Sequence, residues 1–226
     1  INKGERVWTV DVQAVAMIGR LMLTGSPDFT KTVAVTGSEV NDARYVQVIS
    51  GAAMGSIICK SNLCSQELYL RGDWNSVRLI CGNVLTGSKV DKDGYLGFYC
   101  NQVTAIPEGN HHELLGWAMP RLNKFSVSRA YFSWLMPWKK YDLDTNLNGG
   151  ERAYVFTGLY DHYVPMDIYP MYLIKAILAG DIDKMENLGI YEVVEEDLAL
   201  CEFVDPSKTE IQQIVRDGIN LMIKEL

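Results

Sequence analysis

Histidine and cysteine are scarce in this chain of 226 residues, with three of the one and five of the other. No apolar run reaches the roughly 18 to 20 residues needed to span a bilayer. The richest candidate, Tyr45 to Cys59, is broken by Gln47, Ser50, Gly51, Gly55 and Ser56, so membrane attachment is expected only through partner proteins. A formal charge of −7 and a pI near 5.0 exclude nucleic acid as a partner, because that requires a basic footprint. The cysteines, at 59, 64, 81, 100 and 201, are odd in number and show no paired framework, which predicts reduced thiols in a cytosol. No Ser-His-Asp constellation and no dinucleotide fingerprint is visible, so no catalytic residues, bound cofactor or metal are expected within these residues alone. There is no signal-peptide pattern at the start. The chain opens on Ile1 and not on methionine, which predicts that it is a fragment.

What is present has clear periodicity. Val12, Val15, Ala16, Gly19, Met22 and Leu23 fall on one helical face, with Asp11 suited to the cap and Gly25 to the stop. Runs with strand character follow at Thr32 to Thr36, Tyr45 to Ile49, Val77 to Ile80 and Phe98 to Ile106, separated by glycine turn signals. Between the second and third, Met54 to Lys60 fits a short helix. From Asn110 to Asn148 the pattern loosens. Helices return at Ile168 to Leu178 and Asp181 to Leu188, closed by Gly180 and Gly189. Ser207-x-x-Glu210 has the form of a capping box ahead of Ile211, Ile214, Val215, Ile219, Met222 and Ile223, which lie at helical spacing. The fold class is therefore α+β, ending in a small helical bundle.

Several motifs are partial. Gly82-x-x-x-x-Gly87-Ser88-Lys89 reverses the lysine and hydroxyl of a phosphate loop. Asp144-x-Asn146-x-Asn148-Gly149 matches half of a calcium loop, but its twelfth position is Val155 where a bidentate glutamate belongs, so it reads as an Asn-rich turn. Cys59-x4-Cys64 and the His111-His112 pair are too sparse for a zinc site, and His162 stands alone. Glu195-Glu196-Asp197 suits the first turn of a helix. The best interaction candidate is the aromatic stretch with Tyr131, Phe132, Trp134, Trp138, Lys139 and Lys140, since Trp and Tyr beside cations are selected by interfaces and membrane belts. The alternative is that Phe132 and Trp134 fill a core.

Two segments near the C-terminus have the layout of the iron–sulfur run C-x-x-C-x-x-C-x-x-x-C-P without its thiols. Back from Pro206 those positions hold Asp205, Cys201, Leu198 and Glu195; back from Pro165 they hold Val164, Tyr160, Thr157 and Tyr154. One thiol in eight positions cannot hold a four-iron cluster. Tyr154, Tyr160, Val164 and Leu198 are sized to fill the volume instead.

The stretches VWTVDVQAVAMIGRLMLTG (7–25), GNVLTG (82–87), GYLGFYCNQVTAIPEG (94–109), KFSVSRAYFSWLMP (124–137), LNGGERA (147–153) and the run from Pro165 to Lys208 together resemble the A-subunit family of the bacterial Na+-translocating NADH:quinone reductases. The resemblance runs from about Val7 to the C-terminus. That family is in turn similar to the electron-input subunit of the Rnf complex, which carries clusters, and to the NADH-binding subunit of complex I. One departure is Asp205, where a cysteine is expected in many relatives.

The resemblance implies a β-grasp domain of the soluble-ligand-binding type at residues 31–108, preceded at 1–30 by the helical tail of a missing N-terminal domain. It implies a connecting segment at 109–150 and, at 151–226, a helical domain resembling a ferredoxin-like module that has lost its clusters. The implied function is that of a peripheral subunit of a Na+-translocating NADH:ubiquinone oxidoreductase on the cytoplasmic face of the bacterial inner membrane. Such a protein would dock against the membrane-embedded B-subunit and would have no redox centre of its own. Ubiquinone remains a candidate ligand of the intact protein or complex. The alternatives are a stand-alone β-grasp that binds a small ligand and an Rnf-like electron-transfer subunit.

Overall fold

The computed structural model describes residues 5–59, 74–111, 113–154 and 158–225, and divides into two compact units, Thr9–Leu147 and a second that contains Asn148–Leu226. In the first, Val12–Thr24 form α1. The Asp11 carboxylate accepts the amide of Gln13, and Gly25, at φ 72°, closes the helix by donating to the Leu21 carbonyl, the left-handed stop that glycine adopts without a Cβ penalty.

A five-stranded sheet follows: β1 (Thr30–Thr36), β2 (Arg44–Ile49), β3 (Val77–Cys81), β4 (Ser88–Val90) and β5 (Gln102–Pro107), in the order β2-β1-β5-β3-β4. β1 runs antiparallel to β2 and parallel to β5, with Ala34 opposite Gln102 and Thr36 opposite Thr104. β3 is antiparallel to both β5 and β4. The parallel pair reaches only back to Ala34, so Thr32 presents an open edge on that side. Gln13 of α1 covers it, its side-chain amide donating to the Thr32 carbonyl at 2.9 Å and accepting from the Thr32 amide at 2.8 Å. Period-two alternation turns Val33 and Val35 inward with Leu79, Val103 and Ala105, against Met54 and Ile58 of α2 (Met54–Cys59).

Four expectations need correction or completion. The strand predicted from Phe98 begins only at Gln102, because Cys100 turns back to donate to the Gly97 carbonyl and leaves Phe98 and Tyr99 exposed. β4 is an additional strand, three residues long. Reduced thiols are not what the structure has at Cys81 and Cys100: the turn ahead of β5 holds Cys100 beside the end of β3, their Cα atoms 5.7 Å apart, and they form a disulfide, a proximity that parity and spacing cannot reveal. Lys60, the expected end of α2, lies outside the described residues.

The second unit is helical: α3 (Pro170–Ala179), α4 (Ile182–Asn187), α5 (Ala199–Val204) and α6 (Ile211–Glu225). Pro170 opens α3, where its missing N–H costs nothing, and Gly180 at φ 67° closes it. Asp181 caps α4 by accepting from Lys184 N–H. α3 and α6 pack tightly at Gly218, where an added Cβ would lie 2.9 Å from Ile177. The buried set of Leu173, Ile174, Met185, Leu198, Ile211 and Val215 forms its core. The expected capping box at Ser207 does not form, because α6 starts only at Ile211. Asp205 takes the Ser207 and Thr209 amides, and Glu202 accepts the Gln212 amide at 2.8 Å.

Candidate functional site

In the aromatic stretch, one buried residue holds its neighbours outward. Ser133, in the 3-10 turn Phe132–Leu135, is buried; its hydroxyl donates to the Lys124 carbonyl at 2.6 Å and its amide to the Arg121 carbonyl at 3.1 Å. With Ser133 inward, Phe132, Trp134 and Leu135 are each more than half exposed, and Trp138 is 77% exposed. They do not fill a core. Tyr131 is half-buried. Lys139 turns back to donate to the Leu122 carbonyl and to Asn123, and sits over the Tyr141 ring, whereas Lys140 is exposed. The segment is also tied by Glu113, which accepts from Arg121 and Lys124 at 2.9 Å each; these bonds, Lys124 foremost, hold the Glu113 carboxyl below its usual value.

The two cysteine-poor runs converge in the helical unit. Tyr160, Val164, Leu198 and Cys201 are buried in one core, with Tyr154 packed against it. The Tyr154 and Tyr160 rings stack with centroids 6.1 Å apart. Asp205 is fully buried at the edge of the same cluster. Thr157 lies outside the described residues. Neither tyrosine hydroxyl has a hydrogen-bond partner among the described residues, and burial pushes both phenols above their ordinary value. Burial first, and the charge of Asp161 second, push the Cys201 thiol up to about 11. Four of these positions, Tyr160, Val164, Leu198 and Cys201, are packed in one core, and the Cys201 thiol is held protonated.

A raised pKa on an acid that is neutral when protonated stabilises the fold fully below its unfolded value, and the stabilisation is lost as pH rises through the folded one. From the ordinary values of 9.0 for Cys201 and 10.0 for the tyrosines, the helical unit should keep its melting temperature up to about pH 9 and lose it progressively above. Thermal melts by circular dichroism between pH 7 and 11 check this. Cys201→Ala and Tyr160→Phe should each flatten the fall, and a melting temperature unchanged to pH 11 would contradict it. Consistently, Cys201 should resist iodoacetamide at pH 8 until the chain is unfolded, because the thiolate is the reactive form.

A groove of about 310 Å³ in the first unit is bounded by Val10, Ala14, Met17, Ile18 and Leu21 on one side and Phe29, Phe98 and Tyr99 on the other. No residue of α1 is fully buried. Beside the groove, Lys31 is almost wholly buried and donates to the Phe98 carbonyl at 2.7 Å. Desolvation lowers its pKa, partly offset by Asp11. Sequence reading missed this groove because its walls come from three separated segments.

The partial motifs resolve into turns. Asn83 accepts from the Leu85 and Thr86 amides at 2.8 Å in a β3–β4 turn, and Lys89 faces Glu108 at 3.9 Å. Asp144 accepts the Asn146 amide at 3.0 Å, and Thr145 ties the turn to Glu108 and Gly109. Val155, Cys64 and His112, like the Cys59 side chain, lie outside the described residues. His162 is exposed in a 3-10 turn. Among the described residues, no group of three or more His, Cys, Asp or Glu is placed to hold a metal ion, and no helix is long and apolar enough to cross a membrane.

Fold and surface thus define an α+β protein with a mixed five-stranded sheet, a helical unit and an exposed aromatic, cationic segment. Comparison with known proteins supplies the likenesses. Residues 32–92 match the family model described as NQRA C-terminal domain. Over all 226 residues the chain is 39% identical to the A-subunit of the Na(+)-translocating NADH-quinone reductase of Vibrio vulnificus, covering 48% of that protein. The relative of the same name from Neisseria meningitidis is 37% identical and that from Rhodopirellula baltica 36%, each over the full chain and 48% of the relative. The chain is similar to these proteins along its whole length and spans about half of theirs.

Proposed function

We propose that this chain forms part of a peripheral subunit of a Na+-translocating NADH:ubiquinone oxidoreductase at the cytoplasmic face of a bacterial inner membrane. The observation that carries the reading is 39% identity along the full chain to a protein of that complex. Its role is to dock, most directly against the membrane-embedded B-subunit, and to hold redox-carrying neighbours in register without a redox centre of its own. Seven of eight positions in the two ligand-run layouts are not cysteine, which disfavours the Rnf-like alternative. The docking surface is the segment with Tyr131, Phe132, Trp134, Trp138, Lys139 and Lys140, whose exposed tryptophans support it.

Residues 31–108 form a β-grasp domain in this reading, supported by the strand order β2-β1-β5-β3-β4, the central parallel pair and the helix that follows β2. Residues 151–226 descend from a ferredoxin-like module whose clusters were replaced by packing. Residues 109–150 connect the two, and residues 1–30 are the helical tail of an N-terminal domain. The groove beside α1 is the place for an apolar ligand and contributes part of a quinone site.

Two measurements test this. The tagged chain, co-expressed with the membrane proteins of the complex, should co-elute with them, and should do so at least tenfold less when Trp134 and Trp138 are both alanine; no co-elution by the parent chain would overturn the docking role. Calorimetric titration with a short-tailed, water-soluble quinone should show one-to-one binding in the tens of micromolar, abolished by Ala14→Trp, which fills the groove. Absence of heat would remove quinone from this half and leave docking as its function.

A further inference from the structure

Charge is distributed along this chain very unevenly. Between Glu113 and Asp142 lie 28 residues with five Lys or Arg and not one Asp or Glu. The segment carries +5 in a chain of −7, so everything outside it sums to −12. The same residues, 114–141, hold Phe132, Trp134, Leu135 and Trp138, all more than half exposed. We propose that this segment touches lipid directly, binding the headgroup region of an anionic phospholipid bilayer. The proposal rests on the docking role given to the same surface above and names what one part of it meets.

Three features favour lipid over a purely proteinaceous partner. Buried protein interfaces are depleted in lysine, yet three of the five cations are Lys124, Lys139 and Lys140. Tryptophan with leucine and phenylalanine beside lysine and arginine is the combination that settles at a membrane–water interface, the ring lying at headgroup level and the cation among phosphates. The charge asymmetry also orients the molecule. An anionic leaflet attracts each nearby cation and repels carboxylates within a Debye length, so this segment is attracted where the acidic remainder is not.

The segment is built to present these groups. Arg121 and Lys124 share the single carboxylate of Glu113, and Lys139 is tied to the Leu122 carbonyl. These contacts and the buried Ser133 stiffen the platform, so little side-chain entropy is lost on contact. Arg129 and Lys140 remain, both exposed and neither paired with a carboxylate among the described residues. Arg129 is held at φ 55°, at a turn closed by its amide to the Ser126 carbonyl. These two cations flank the aromatic turn, one on each side in sequence. Among the described residues no helix spans a membrane, so the contact lies in the surface plane.

The test is co-sedimentation of the full chain with vesicles of 70% phosphatidylcholine and 30% phosphatidylglycerol, against vesicles of phosphatidylcholine alone. Partitioning onto the anionic vesicles should be at least tenfold stronger, should fall at least fivefold when salt rises from 50 to 500 mM, and should shift the tryptophan emission to shorter wavelength. The pair Arg129→Glu with Lys140→Glu should remove binding, and so should Trp134→Ala with Trp138→Ala. All four sites are on the surface, so melting temperatures should stay within a degree or two of the parent. Equal binding to both vesicle types, or to neither, overturns the proposal. If vesicles are ignored while the chain still co-elutes with the membrane proteins through Trp134 and Trp138, the surface meets protein alone and the docking role stands. If co-elution fails as well, both readings fall.

Discussion

Asp205→Ala should destabilise the helical unit by about 3 kcal/mol, because two charge-assisted bonds to backbone amides vanish and both donors are left in the interior. Its carboxylate is fully buried; one oxygen accepts Ser207 N–H at 3.1 Å and the other Thr209 N–H at 2.8 Å. Those bonds shape the turn that delivers the chain into α6, where Ile211 and Val215 are fully buried. Loss of the turn therefore loosens the core. For a unit of this size the melting temperature should fall by roughly 10 °C or more. Asp205→Asn retains one acceptor and should cost about half as much. Tyr160→Phe is the contrasting variant: the hydroxyl it removes is buried without a partner among the described residues, so it should be neutral or stabilising, since losing an unsatisfied polar atom relieves a desolvation penalty. If Asp205→Ala melted like the parent, the carboxylate would not organise this turn.

The parts of the fold that were legible in the sequence are those in which local chemistry and tertiary packing agree. Asp11 and Gly25 bracket α1 because cap and stop act through the backbone within a few residues. Gly180 with Asp181 ends one helix and starts the next for the same reason. β1 was readable because Val33 and Val35 alternate with outward residues. Elements that owe their state to distant neighbours were hidden. β4 is three residues of Ser-Lys-Val, with no alternation to detect, and is a strand only because β3 supplies its partner. Phe98 and Tyr99 have strand propensity but lie in a turn. Ser207 and Glu210 satisfy the capping pattern, yet Asp205 claims the serine's own amide. The aromatic stretch was visible as composition. That Ser133 is the inward residue, and hence that its neighbours point out, was not.

The largest effect in the sheet unit is expected from Gly37→Ala. Gly37 leaves the end of β1 at φ 121°, and a Cβ built there would lie 1.9 Å from the Ala105 carbonyl oxygen and 2.6 Å from its nitrogen. Both obstacles are backbone of β5, so no rotamer change relieves them. β1 and β5 would have to separate, and they are the parallel pair on which the whole strand order turns. The Glu39 amide, which donates to the same Ala105 oxygen at 3.2 Å, would lose its acceptor too. Together with left-handed strain on a residue that has a Cβ, the cost should exceed about 4 kcal/mol. Gly51→Ala separates the two causes: Gly51 also has positive φ, 81°, but nothing within 4 Å of its missing Cβ, so only the conformational penalty of about 1 to 2 kcal/mol applies. Urea unfolding of both variants, read by far-ultraviolet circular dichroism, measures the difference. Equal losses would mean that backbone conformation and not strand contact sets the cost, and that β1 and β5 part more easily than a Cβ only 1.9 Å from the Ala105 oxygen requires. A much larger loss at Gly37 identifies the central parallel pair as the place where this unit tolerates no added volume.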